Sequence, residues 1–217
     1  MTSAPGVLAR GPWEPARVQS SWREDSFEPD PEADAAADAA IAGLRDRGSP
    51  SHDGLSARLA AYEPLTPGLR LELQPMRWSL RLIDGAADGS LSVLCVTRAA
   101  DGRWLAGRRA PWVASWAGRW ALGAGGAVDV GEDPTETLTR ELEEEWSVRP
   151  QRLSVEALVR LPSGLVLLVG LAHLPDGAEV VPDDEHDECA WWPADVERWP
   201  DVADPPLRHM ARLLDGG

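Results

Sequence analysis

The sequence contains no lysine: its 21 basic residues are all arginines, they stand against 36 Asp and Glu, and the formal net charge is −15. Because an acidic surface repels a phosphate backbone, duplex nucleic acid is not an expected partner. Long apolar runs are also absent, since none approaches the roughly 20 residues that a membrane-spanning helix needs. The N-terminus lacks the charged head and apolar core of a secretion signal. We therefore expect a cytoplasmic protein without membrane association.

Cysteine is scarce, with Cys95 in an apolar run and Cys189 near the C-terminal end. Two cysteines placed in this way form neither a disulfide framework nor a zinc knuckle, so both are expected to be free thiols. The chain of 217 residues is long enough for one domain with a full core and an appendage, and rather short for two ordinary domains.

The first 75 residues differ in composition from the rest, because Pro, Ala, Asp and Gly are frequent there. Residues 31–48 predict one marginal helix before a glycine stop, and residues 55–62 predict a short second helix that ends at Pro64. Residues 20–31 and 47–54 have the composition of loops. Residues 1–75 are therefore predicted to be an N-terminal extension, partly disordered or with short helices.

Beyond residue 75 the pattern is mainly that of strands. Alternating or continuous β-prone runs predict strands at 77–84, 90–98, 103–110, 152–161, 164–174 and 189–193. Turns at residues 100–102 and 162–164 predict two hairpins, and residues 205–217 predict a C-terminal helix. One prominent helix lies between the hairpins. This order predicts an α/β fold, a mixed sheet covered by helices, over residues 76–217.

The prominent helix has a clear start and an unusual charge pattern. Asp133 is suited to the N-cap, Pro134 to the first turn and Glu136 to a capping-box position. Thr135, Leu138, Leu142 and Trp146 fall on one face, which we expect to pack on the sheet; an adjacent arc carries Glu141, Glu144 and Glu145.

These three glutamates are unfavourable for the helix itself. Like charges at this spacing each cost a few tenths of a kcal/mol, and carboxylates near a helix C-terminus oppose its macrodipole. A divalent cation explains them, because Mg²⁺ is bound by carboxylate oxygens and takes up substrate phosphates. Gly123, Gly125 and Gly126, just before the helix, let the backbone approach a metal or phosphate closely.

The loop and helix together resemble a known sequence motif. Residues 126–148 read Gly126, five residues, Glu132, seven residues, Arg140-Glu141-Leu142, one residue, Glu144-Glu145, one residue, Ser147 and Val148. This pattern is similar to the Nudix box and matches every defined position except the last glycine, where Ser147 stands. A residue there often needs a positive φ, which costs a serine about 1 kcal/mol.

The resemblance implies a Nudix-like α/β/α sandwich and a hydrolase that uses Mg²⁺ or Mn²⁺. Its reaction would cleave the pyrophosphate bond of a nucleoside diphosphate linked to another moiety. Glu144 and Glu145 would bind the metal, Glu141 would be a third ligand or the general base, and the Gly125 carbonyl would complete the site. Arg140 would orient Glu141, Glu132 would anchor Arg140, and Gly126 would have a structural role. A homodimer is compatible with the resemblance, which leaves the substrate open.

Further candidate residues lie outside the motif. Glu185 or Glu188 is a candidate metal ligand or base from an acidic loop, in which His186 is a weaker candidate. Arg108, Arg109 and Arg119 are candidates for holding a substrate phosphate. Trp112 and Trp116 are candidates for stacking on a base, although packing explains tryptophans equally well.

Two other functions fit parts of the sequence. A non-catalytic Nudix module that senses a nucleotide or binds a partner would make use of the N-terminal extension. An isomerase on the same fold would need a catalytic cysteine, and Cys95 lies in a predicted core strand instead. The intact glutamates favour the hydrolase.

Overall fold

The computed structural model describes residues 6–49, 53–83, 85–86 and 88–215. The α-helices are α1 (Pro31–Asp46), α2 (Pro134–Trp146) and α3 (Pro205–Asp215). The strands are β1 (Gly6–Trp13), β2 (Val18–Trp22), β3 (Leu55–Leu65), β4 (Gly68–Arg77), β5 (Leu91–Arg98), β6 (Trp104–Arg109), β7 (Trp120–Leu122), β8 (Arg152–Arg160), β9 (Val166–His173) and β10 (His186–Trp192). Short 3-10 helices cover Pro15–Arg17, Trp78–Leu82 and Val196–Arg198. In these ranges no helix has the length and apolarity needed to span a membrane.

Two sheets organise the described chain. The larger has the strand order β1-β8-β9-β5-β6-β10, with β7 paired to β6, and the smaller has the order β2-β4-β3. In the larger sheet β5 and β9 run parallel while the other pairs are antiparallel, so the mixed sheet predicted from the sequence is confirmed. The predicted hairpins β5-β6 and β8-β9 are also present.

The larger sheet is covered on both faces. Helix α2 and the small sheet share one apolar core with one face, through Leu138, Leu142, Trp146, Leu71 and Leu73 against Val93, Leu105 and Leu158. Helix α3 covers the other face, where Leu207 and Ala211 join a cluster that includes Trp104, Trp192 and Trp199. The α/β/α layering is therefore as expected. Cys95 is buried and Cys189 is exposed, both as free thiols.

Three helices begin or end close to where the sequence places them. Asp30 caps α1 by accepting a hydrogen bond from Ala33 N at 2.8 Å, so the helix predicted at residues 31–48 is confirmed. Asp133 caps α2 by accepting from Thr135 N at 2.8 Å, and Pro134 is the first helical residue, as predicted. Helix α3 begins at Pro205, and its predicted last two residues lie outside the described residues.

The N-terminal part contains more strand than predicted. The short helix predicted at residues 55–62 is wrong, because this segment is part of β3 and pairs with β4 on both sides of an irregularity between Leu59 and Ala61. The loop predicted at residues 20–31 is wrong at its start, since Ser20–Trp22 pair with β4. The strand predicted at residues 77–84 is also wrong, because Trp78–Leu82 form a 3-10 helix whose Leu80 packs under α1. Asp84 lies outside the described residues, as do residues 50–52 of the loop predicted at 47–54.

The N-terminal segment is in direct contact with the start of α2. Ser20 Oγ donates to the capping carboxylate of Asp133 at 3.1 Å, and Trp22 Nε1 donates to the Glu132 carbonyl at 3.4 Å. Strand β3 contributes a backbone hydrogen bond from Ala57 N to Val128 O at 2.8 Å. The loop and first turn of α2 are thus held from outside by β2 and β3.

The C-terminus of α2 carries local backbone strain at Ser147. Ser147, exposed, has φ 53° and ψ 33°, the left-handed conformation that glycine adopts without penalty. Ser147→Gly is expected to raise the free energy of unfolding by about 1 kcal/mol, measured by urea denaturation. Ser115→Gly is the control, since this exposed serine has no positive φ. Equal effects of the two changes would contradict the assignment.

Candidate active site

The site is built on the loop that leads into α2. This loop inserts beside β5, with hydrogen bonds from Cys95 N to Ala124 O at 2.8 Å and from Val93 N to Gly126 O at 2.9 Å. The fit requires glycine, because a Cβ at Gly123 would collide with the Cys95 carbonyl. A Cβ at Gly126 would collide with the Glu141 carboxylate. The loop backbone and the glutamates of α2 are therefore in direct contact.

Glu141 and Glu145 are the two buried carboxylates of the site, with 9% and 4% of their surfaces exposed. Glu145 Oε1 accepts a hydrogen bond from Gly125 N at 3.0 Å. Burial raises the pKa of Glu141 to about 7, even though Arg140 acts in the opposite direction. Burial also raises the pKa of Glu145 well above its usual value, opposed by the Gly125 N–H and by Arg109. For both groups, desolvation therefore shifts the equilibrium toward the protonated form relative to an exposed glutamate.

Arg140 connects three carboxylates on the outer side of the site. Its Nε lies 2.7 Å from Glu132 Oε1, and its Nη1 lies 2.9 Å from Glu141 Oε1 and 2.8 Å from Glu144 Oε2. Glu144 is mostly exposed, with 59% of its side chain accessible, and is turned toward Arg140. The arrangement agrees with the contacts expected of Arg140, while the roles of these residues stay predictions.

Arg109 connects two carboxylates on the inner side. Its Nη2 lies 2.9 Å from Glu185 Oε2, and its Nη1 lies 3.8 Å from Glu145 Oε2. Glu185 acts electrostatically on both Glu141 and Glu145. Of the two candidates in the acidic loop, Glu185 therefore lies near the buried pair.

The other surface candidates are placed differently. Glu188 lies at the surface, 3.4 Å from Arg108 Nη1, and Arg108 Nε lies 2.7 Å from Asp187. Arg119 is paired with Asp204 at 2.6 Å. Arg108 and Arg119 thus form ion pairs at the surface, whereas Arg109 forms its ion pairs next to the buried glutamates.

His186 is more central than the sequence suggests. It is buried against the Trp146 ring, with the ring centroids 4.6 Å apart, and its Nδ1 lies 3.3 Å from Asp183 Oδ1. Its Nε2 lies 3.6 Å from Glu145 Oε2, and within the described residues neither of these two buried atoms has a hydrogen-bond partner. The sequence signal was weak: a single histidine in an acidic loop.

The donor set fits a divalent cation by its chemistry, although the side chains do not converge on one point. Among the residues that the structure describes, no three His, Cys, Asp or Glu side chains form a group that could hold a metal ion. Glu145 Oε2 is nevertheless a buried oxygen without a hydrogen-bond partner, next to a second buried carboxylate. Hard cations prefer such oxygens. The residues that could hold the ion are Glu141, Glu144, Glu145 and Glu185. At Gly125 the structure shows a hydrogen bond from the N–H to Glu145, and the role of the Gly125 carbonyl stays a prediction.

The tryptophan candidates lie on the loop after β6. Hydrogen bonds from Arg109 N to Arg119 O and from Gly118 N to Arg109 O, both 2.9 Å, close the base of this loop beside the site. Trp112 is half-buried, whereas Trp116 is 40% exposed, has φ 60°, and lies 4.5 Å from the Arg119 guanidinium. Trp116 is therefore the more accessible of the two.

Comparison with known proteins identifies the family. The NUDIX domain model matches residues 90–214, more than half of the chain, and the chain belongs to the Nudix family. It is a Nudix-type hydrolase by this assignment. No curated protein matches the chain.

Several solved structures are similar to part of the chain. The MutT NUDIX hydrolase of Burkholderia pseudomallei is 27% identical with a TM-score of 0.46, covering 57% of this chain and 98% of that one. MutT of Methanosarcina mazei is 24% identical with a TM-score of 0.45, covering 58% and 92%. The NUDIX domain of Shewanella oneidensis NrtR, solved with ADP ribose, is 22% identical with a TM-score of 0.47, covering 58% and 86%. These TM-scores are low, so the family assignment depends on the domain match.

The contact between Gly126 and Glu141 predicts a selective loss of activity. Gly126→Ala is expected to lower kcat/KM by about 100-fold, because the added methyl group displaces the Glu141 carboxylate. The control is Gly43→Ala in α1, where the nearest atom to a new Cβ lies 3.9 Å away. Both variants are checked by steady-state kinetics and thermal melting. Wild-type kinetics for Gly126→Ala would contradict the placement of Glu141.

The raised pKa of Glu141 predicts a pH-dependent stability effect. In the folded protein its pKa is about 7, above the ordinary value of 4.5, so the folded state retains a proton in this window and loses stability as pH rises through it. In metal-free protein, Glu141→Gln is therefore expected to increase the free energy of unfolding at pH 8 by roughly 1–3 kcal/mol and to change it little at pH 5. Urea denaturation with EDTA at both pH values measures this.

The matched control for that experiment is Glu143→Gln. Glu143 is on the exposed face of the same helix, 2.8 Å from Arg149. Its replacement should have similar small effects at pH 5 and pH 8. Equal stabilisation by Glu141→Gln at the two pH values would show that ionisation of the buried group is not the cause.

Proposed function

We propose that the protein is a divalent-metal-dependent pyrophosphohydrolase that cleaves the pyrophosphate bond of a nucleoside diphosphate linked to another moiety. The cation would be Mg²⁺ or Mn²⁺. The observation that carries the proposal is the pair of buried carboxylates, Glu141 and Glu145, of which Glu145 leaves one oxygen without a hydrogen bond in the described structure. Burying such groups is unfavourable for folding, and a bound cation would compensate for it.

The carboxylates of the site would have two different roles, cation binding and proton transfer. Glu145, fixed by the Gly125 N–H, would hold the cation together with Glu144, which could turn from Arg140 toward it because its side chain is exposed. Glu185 would add a ligand from the loop before β10. When bound, the cation would neutralise the diphosphate and lower the pKa of an attacking water.

Glu141 is suited to accept the proton of that water. Its pKa of about 7 is in the range that favours a general base at neutral pH. The ion pair with Arg140 fixes its orientation, and Glu132 in turn fixes Arg140. These contacts support the roles that the motif implies for the three residues.

Substrate binding would involve Arg109 and the loop after β6 that carries Trp112 and Trp116. Arg109, half-buried beside Glu145 and paired with Glu185, lies closer to the buried carboxylates than Arg108 or Arg119, whose ion pairs with Asp187 and Asp204 lie at the surface. Trp116 offers an exposed ring for stacking on a base, and its left-handed backbone is a strained conformation of the kind that persists at binding sites. The nucleotide class fits this combination. Homodimer formation and a cytoplasmic location stay predictions.

The test is turnover of a substrate panel by the purified protein with Mg²⁺ or Mn²⁺. The panel contains ADP-sugars, dinucleotides, and ordinary and damaged nucleoside triphosphates. Wild-type protein is expected to hydrolyse at least one compound, and EDTA should abolish the activity. Glu145→Gln and Glu144→Gln are each expected to reduce kcat by 100-fold or more, because each removes a charged ligand oxygen.

Glu143→Gln is the matched control, since it removes a carboxylate from the same helix without touching the site. It should leave kcat unchanged. A folded wild-type protein that hydrolyses no compound in the panel would overturn the proposal. Equal losses in all three variants would show that the acidic helix, and not a specific set of ligands, is what matters.

A further inference from the structure

Arg81 lies beside the site although it precedes the family domain. It belongs to the 3-10 helix Trp78–Leu82, whereas the domain match begins at residue 90. Its Nη2 donates to Ser92 Oγ at 2.7 Å. Ser92 forms a β-bridge with Ala127 of the glycine loop, next to the Gly126 backbone on which Glu141 packs. The arginine is thus anchored at the loop that supports Glu141.

The electrostatic surroundings of Arg81 are unusual for this chain. Arg140 and Arg109 both have carboxylates as ion-pair partners, but Arg81 forms no ion pair with any carboxylate of the described residues. Surrounding protein atoms lower its pKa to about 10, opposed by the attraction of Glu141. Arg81 therefore stays charged at neutral pH.

The remaining contacts hold the guanidinium without neutralising it. The Trp78 ring lies 5.6 Å from the guanidinium carbon, within cation–π range. The side chain is half-buried, and Ser92, its hydrogen-bond partner, is a neutral hydroxyl. A partly desolvated cation whose nearest attracting carboxylate, Glu141, is not in ion-pair contact with it is unfavourable for folding. In a protein with a net charge of −15, carboxylates are abundant, so the lack of a direct ion pair for Arg81 within the described residues suggests an anion that is not part of the chain.

We propose that Arg81 is a ligand for a phosphate group of the substrate, contributed by the segment that precedes the Nudix domain. The inference rests on the proposed function, because the anion it assigns is the diphosphate cleaved at the same site. A guanidinium presents a planar set of donors that match two phosphate oxygens, and one of its nitrogens is already fixed by Ser92. Glu141 marks the position of the reacting end, so the phosphate held by Arg81 lies close to it.

Binding experiments test the assignment independently of turnover. The probe is α,β-methylene-ADP with Mg²⁺, titrated by calorimetry into wild-type protein, Arg81→Gln and Arg81→Lys. Loss of a charge-assisted bidentate contact is expected to weaken the affinity by about 10- to 100-fold for Arg81→Gln. Arg81→Lys should lose less, since it keeps the charge without the planar fork. Melting temperatures of the variants establish that they are folded.

The control variant is Arg198→Gln, because Arg198 is exposed and lies in the 3-10 helix on the α3 side of the molecule. Its affinity should stay within about twofold of wild type, since within the described part of the chain Arg198 forms no ion pair with a residue of the site. A parallel titration with orthophosphate separates the two sources of phosphate. If Arg81→Gln weakens orthophosphate binding but not α,β-methylene-ADP binding, Arg81 holds free phosphate and the assignment to the substrate is overturned.

Kinetics then separate this inference from the proposed function. With the best compound of the panel, Arg81→Gln should raise KM about tenfold or more, with a smaller change in kcat if the contact is already made in the ground state. Wild-type KM and affinity in Arg81→Gln would overturn the role of Arg81 and leave the hydrolase proposal standing. If binding depends on Arg81 but no compound is hydrolysed, the hydrolase proposal is overturned and the role of Arg81 in phosphate binding is kept. Failure of wild-type protein to bind either probe would also overturn the role of Arg81.

Discussion

The burial of two carboxylates against a loop backbone is the constraint on which the rest of the site depends. Glu145 is held by the Gly125 N–H, and Glu141 fits only because residue 126 has no side chain. Both glutamates are thus held at positions where desolvation disfavours the charged form. The surrounding arginines reduce this conflict without removing it, since Arg109 is 3.8 Å from Glu145. A fold optimised for stability alone would place apolar groups there.

The N-terminal segment is coupled to this arrangement. Ser20 donates to the carboxylate that caps α2, and Trp22 donates to the carbonyl of Glu132, the residue that anchors Arg140. A displacement of β2 would therefore reach the glutamates through the first turn of the helix. Strand β1 pairs with β8 at the edge of the larger sheet. We propose that the boundary near residue 75, close to the end of β4 at Arg77, separates a supporting segment from the catalytic domain, although both share one core.

The parts of the structure that could be predicted from the sequence are those set by local spacing. The start of α2, its cap at Asp133 and the packing of Leu138, Leu142 and Trp146 in the core follow from the chemistry of capping and from a helical period. The helix prediction for residues 55–62 was wrong because the conformation of this segment is set by its pairing with β4, and the local sequence carries no information about that pairing. His186 approaches Glu145 only because β10 pairs with β6, and Arg81 reaches Ser92 only because a 3-10 helix replaces the strand expected there.

The local charge balance would allow this acidic protein to bind the acidic substrate proposed for it. The charged groups of the site are Glu132, Glu141, Glu144, Glu145, Glu185, Arg81, Arg109 and Arg140. With all of them ionised, five carboxylates face three arginines, so one divalent cation makes the centre neutral and a second would make it positive. The long-range field of the protein would repel a phosphate substrate, while the centre would attract it if cations were bound. Salt screens the long-range repulsion more than the contacts inside the buried centre. Added salt should therefore accelerate substrate association until the cations themselves are displaced.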